Sequence, residues 1–100
     1  MSNVINYTIK GDSMYPTFRN GDIVTAHYYN LDKNILIGDL VVFKHPFKKN
    51  LKLIKRVTKI KNSKLFVEGD NKNILCSDDS HQFGYINSNN IISLINGSSC

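Results

Sequence analysis

The chain reads as an all-β protein, a small coiled antiparallel sheet of barrel-like form with little helix. Three observations predict this. Apolar and β-branched residues fall in short blocks of strand length. Turn-forming residues, above all the Gly-Asp pairs at 11–12, 21–22, 38–39 and 69–70, separate those blocks. No long window repeats apolar residues at helical spacing between caps, and closely spaced strands without intervening helices favour a barrel or a folded-over sheet.

The blocks follow in order. "NVINYTI" is the first strand; Gly21-Asp22 then opens "DIVTAHYY" and Gly38-Asp39 opens "DLVVFKH". "LKLIKRVTKI" and "KLFVEG" are joined by the tight connection "KNSK", and "FGYI" and "NIISLI" by "NSNN". Helix is confined to a single turn, after Ser13 or around residues 30–36. One hundred residues suffice for one core, burying roughly 60–65% of the unfolded chain's surface. We therefore expect one domain over 1–96 and a flexible tail over 97–100, "GSSC".

Composition excludes several classes. No run approaches the ~18 consecutive apolar residues of a membrane span. The N-terminus lacks a basic segment followed by an apolar one, so the expected protein is cytoplasmic, without membrane anchor. The net charge of +5 comes almost wholly from dispersed lysines, with no arginine cluster or aromatic run, and no nucleic-acid partner is expected. Cys76 and Cys100 have no ligand spacing and read as free thiols. His27, His45 and His81 are scattered, so no metal or other cofactor is expected. Asp22 and Asp39 read as turn caps, and Tyr28-Tyr29 as strand packing.

Two features stand out. In "LKLIKRVTK", alternation puts Leu51, Leu53, Lys55 and Val57 on one face, and Lys52, Ile54, Arg56 and Thr58 on the other. A lysine in an apolar row is disfavoured as an ammonium, and the neutral amine is a general base. Periodicity alone leaves open a Lys55 that snorkels to solvent. The second feature is "KGDSMYPTFRNGD", where Ser13 is either a turn residue or a hydroxyl awaiting such a base.

The successive segments "GDSMYPT", "GDIV", "GDLVVF", "KRV", "EGDN" and "SDDSHQFG" resemble, in order, the boxes of the signal peptidase I family of Ser-Lys proteases, over residues 8 to 95. The resemblance implies Ser13 as nucleophile and Lys55 as general base. It implies that Ser77, with Asp79 and Ser80, orients the lysine, and that Asp70 and Asn71 form the turn opening that box. Gly11 stands where the family has a serine, so the oxyanion hole would rest on the backbone N–H groups of Ser13 and Asp12. His81 replaces the family's arginine, and the path to Ser77 is longer than usual. Met14 and Pro16 are read as substrate contacts.

Within the family the chain is most similar to the short soluble nickel-type superoxide dismutase maturation proteases. That implies removal of an N-terminal leader from a precursor protein bound as an extended peptide. Two other readings stand beside it. "GDSM" also resembles the self-cleavage domain of SOS-type repressors, and a catalytically inactive β module that binds peptides would retain the same fold.

Overall fold

A computed structural model describes residues 3–30, 34–73 and 78–95. Seven strands run through them: β1 (Val4–Thr8), β2 (Ile23–Tyr28), β3 (Leu40–Lys44), β4 (Lys52–Lys61), β5 (Lys64–Glu68), β6 (Ile86–Asn87) and β7 (Ile91–Ile95). They form one antiparallel sheet in the order β1-β2-β7-β3-β4-β5-β6. The all-β expectation holds. The sheet is not closed into a barrel, so β1 and β6 remain its edges.

The turns follow the chemistry of their residues. Before β2, Gly21 takes φ of 93°, and the Arg19 N–H donates to Asp22 Oδ2 at 2.8 Å. Before β3, Gly38 takes φ of 100°, and the Leu36 N–H donates to Asp39 Oδ2 at 2.9 Å. Glycine supplies the left-handed backbone and aspartate closes the turn with its carboxylate, so both acids are caps as expected. Asn62 and Ser63, both at positive φ, make the two-residue connection between β4 and β5.

The "FGYI" block differs from expectation. A single helical turn, α1 (Ser80–Phe83), takes up its phenylalanine and leaves β6 only two residues. Asp79 is the N-cap, its side chain accepting from the His81 N–H at 2.9 Å, and Gly84 at φ of 82° ends the turn. The turn after Ser13 is not a helix but a hydrogen-bonded loop, with Tyr15 N–H to Asp12 O at 3.1 Å and Phe18 N–H to Met14 O at 3.0 Å. "NSNN" forms a 3-10 turn, Ser88–Asn90.

Two apolar clusters pack the sheet. One gathers Ile9, Met14, Val24, Leu40, Val42 and Ile95; the other gathers Val41, Phe43, Val57, Val67, Ile86 and Ile91. Consecutive β3 residues enter opposite clusters, which is why its run Leu-Val-Val-Phe is apolar without alternation. Each large side chain so buried contributes about 1.5–3 kcal/mol. β3 thereby fixes its neighbour β4, which carries Lys55.

Candidate active site

Lys55 lies in the middle of β4, directly opposite Val41 of β3. It shares a face with Leu53 and Val57, which pack in the second cluster, and is only 3% exposed. Burial pushes its ammonium below the ordinary lysine value, and the carboxylates of Asp79, Asp78 and Asp70 oppose the shift without cancelling it. The desolvated amine has carboxylates for neighbours but stands in an apolar row.

Ser13 is held from across the fold by the segment that follows β5. The Asn71 N–H donates to Ser13 O at 2.9 Å, and Asn71 Nδ2 donates to Asp12 O at 2.8 Å. The Asp70 N–H points at Met14 Sδ, 3.4 Å away, while Met14 itself is buried in the first cluster. On the other side of the loop the Gly11 N–H donates to Asn20 Oδ1 at 2.7 Å. The serine therefore sits on a short loop whose main chain is tied on both flanks.

Asp70 joins this loop to the strand of the lysine. Its carboxylate accepts from Thr17 Oγ1 and takes two bonds from the Arg56 guanidinium, each at 2.9 Å. Arg56 also donates to Gly38 O at 2.7 Å. Burial raises the Asp70 pKa, but the bonds from Arg56 and Thr17 and the charges of Arg56 and Lys72 outweigh it, holding the carboxyl below its usual range. The bond to Asp70 likewise raises the Arg56 pKa. A bidentate pair of this kind fixes orientation as well as charge.

Ser13 and Lys55 meet at a cavity of about 270 Å³ that Met14, Tyr7, Ile9 and Leu53 also line. Among the described residues no hydrogen bond joins the Ser13 and Lys55 side chains, so the cavity is what they share. It lies between β1 and β4, strands with three others between them in the sheet order, which shows that the sheet folds over on itself. Of the two expected substrate contacts, Met14 lines this cavity; Pro16 is exposed and outside its lining. Asp12 is exposed on the loop beside Ser13.

The remaining expected residues have definite places. Asp79 is buried at the start of α1, where its Oδ1 also lies 3.1 Å from His81 Nδ1. Ser80 is buried, and its Oγ accepts from the Val67 N–H at 2.8 Å, fastening α1 to β5. Ser77, Cys76 and the 97–100 tail lie outside the described residues. Thr17, Arg56 and Asp78 were not singled out from sequence, and His45 was read only as one of three scattered histidines. His45 is a buried hub: Nδ1 accepts from the N–H groups of Phe47 and Lys48, both at 3.0 Å, and Nε2 lies 3.1 Å from Asp78 Oδ1. Because Nδ1 accepts twice, the ring proton is on Nε2 and is donated to Asp78.

Signals for two of these residues stood in the sequence. Arg56 follows Lys55 directly and must face the other way on a strand, and Asp78 adjoins Asp79.

The family model described as signal peptidase, peptidase S26, matches residues 1–60, a span that includes both Ser13 and Lys55. The chain belongs to the signal peptidase family. No curated protein matches the chain. A signal-peptidase-like peptidase needs a nucleophile, a base and a surface for extended polypeptide. Here a hydroxyl and a buried amine line one cavity, and β1, which supplies part of its wall, is an edge strand of the sheet among the described residues. Among the described residues no cluster of three or more His, Cys, Asp or Glu can hold a metal, and no helix is long and apolar enough to cross a membrane.

Proposed function

We propose that this signal peptidase family member is a serine endopeptidase in which Ser13 is the nucleophile and Lys55 the general base. The observation that carries the reading is the burial of Lys55 beside the same cavity as Ser13. In this mechanism the neutral Lys55 amine takes the Ser13 proton as Oγ attacks the scissile carbonyl. The oxyanion is met by the main-chain N–H groups of Ser13 and Asp12, and protonated Lys55 then gives its proton to the leaving amine. Water attacks the acyl-serine, Lys55 again acting as base, and the new carboxylate leaves. Asp79 and Ser80, with Ser77, orient the amine, while Asp70 and Asn71 hold the serine loop.

The substrate in this reading is a precursor protein whose N-terminal leader is removed, bound as an added strand along β1. The resemblance to the short soluble maturation proteases points to the precursor of nickel-type superoxide dismutase, processed in the cytoplasm. The test is to incubate that precursor with the protein and read the new N-terminus by mass spectrometry. Ser13→Ala and Lys55→Ala are each expected to lower the cleavage rate at least ~10³-fold with the circular dichroism of the sheet unchanged. Full activity in either variant overturns the dyad. Cleavage of other leaders but not this one overturns the substrate alone.

A further inference from the structure

The connection between β3 and β4, with the strand ends that flank it, carries four lysines. Lys44, Lys48, Lys49 and Lys52 line a second cavity there, of about 500 Å³, above the buried ring of His45. All four lysines are exposed, and Asp78, 3.2 Å from Lys48 Nζ, offsets one of them. Lys44, Lys49 and Lys52 have no acidic partner among the described residues. Dispersed lysines need no explanation, but four around one concavity raise the local potential and concentrate anions.

The position of this concavity gives it a use. Leu51 and Lys52 belong to its lining and also to that of the cavity holding Ser13 and Lys55. The two hollows therefore adjoin at the start of β4. A polypeptide seated extended beside Ser13 and directed toward Leu51 and Lys52 would reach the lysines within a few residues, since each residue advances about 3.3 Å.

We propose that this lysine-lined cavity is a specificity subsite that takes acidic side chains, Asp or Glu, of the polypeptide substrate a few residues from the scissile bond. The inference rests on the peptidase reading for the identity of the occupant, but its binding part can be tested without cleavage. An acidic peptide is favoured over an anionic lipid or nucleic-acid surface because the lysines adjoin the cavity of the nucleophile.

The experiment uses two short peptides spanning the leader junction expected in the precursor, one with glutamates and one with glutamines at successive positions beside the expected scissile bond. Each carries one tryptophan, a fluorophore this chain itself lacks. Affinity is read with the Ser13→Ala variant, and kcat/KM with the wild type. Each well-placed glutamate is expected to improve affinity and kcat/KM about 2- to 5-fold, the range of an exposed ion pair. The advantage is expected to disappear in about 1 M salt, where the screening length is ~3 Å. The Lys44→Gln/Lys49→Gln variant loses the preference, and Lys49→Glu reverses it.

Discrimination in binding without any cleavage supports the subsite while defeating the peptidase reading. Equal affinity for the two peptides at low salt, or a preference that survives in Lys44→Gln/Lys49→Gln, overturns the subsite. So does binding to phosphatidylserine vesicles with no discrimination between the peptides, which assigns the lysines to a lipid surface.

Discussion

The main-chain N–H of Asn71 donates to the carbonyl oxygen of Ser13 at 2.9 Å, joining the loop after β5 to the loop before β2. The Asn71 side chain adds a second bond, to Asp12 O, and its Oδ1 receives the Asn73 N–H at 2.9 Å. One residue thus sets both the position of the serine loop and the shape of the turn that holds it.

Asn71→Ala removes the side-chain bonds and keeps the main-chain one. A single hydrogen bond of this kind contributes about 0.5–1.5 kcal/mol, so the fold is retained. In the proposed mechanism a displacement of Ser13 by about 1 Å is enough to slow the reaction ~10²-fold. The expected result is therefore a fall in kcat of about 10- to 100-fold with a melting temperature lowered by only a few degrees. Loss of stability and activity in proportion would show instead that Asn71 serves only the fold.

The pH profile should report Lys55. In the proposed mechanism the amine accepts a proton only when neutral, so kcat/KM is expected to rise with pH through an apparent pKa below the ordinary lysine value of 10.5. Asp79 is the foremost of the carboxylates that hold this pKa up. Asp79→Asn removes that charge yet keeps an N-cap of equal quality for α1. The ascending limb is expected to move to lower pH in the variant. A limb that stays in place or moves upward would exclude Asp79 from the electrostatics of Lys55.

What was legible in the sequence was local. Two-residue alternation put Lys55 on an apolar face, and its burial bears that out. The Gly-Asp pairs announced their own turns, because the glycine conformation and the aspartate cap lie within a few residues of each other. The clamp on Ser13 was not legible as geometry. Thr17 meets Asp70 and Asn71 meets Asp12 across separations of 53 and 59 residues, and periodicity carries no information about which loops the topology brings together. Helix α1 was missed for the opposite reason. A four-residue turn is too short for any period to register, although Asp79 followed by Gln82 has the spacing of a capping box.

Keeping Lys55 where it is costs stability, and the cost depends on pH in a definite sense. Its folded pKa lies below the unfolded value, so between the two the unfolded chain binds more protons. Wild-type stability therefore rises with pH across that window. Lys55→Met fills the same row with an apolar side chain of similar length. It orphans none of the neighbouring acids. Asp79 keeps the His81 N–H, Asp70 keeps Arg56 and Thr17, and Asp78 keeps His45 and Lys48. The variant is expected to be more stable than wild type at neutral pH by about 1 kcal/mol, within the range seen when buried charges are replaced by packed apolar groups. For a domain of this size that is a melting temperature higher by roughly 4–8 °C. The gain should be full below the folded pKa of Lys55 and shrink as pH rises through the window up to 10.5, above which the wild-type lysine is neutral in both states. Thermal melts of the two proteins across that range are the measurement, and a gain that does not change with pH would mean that Lys55 keeps its charge on folding.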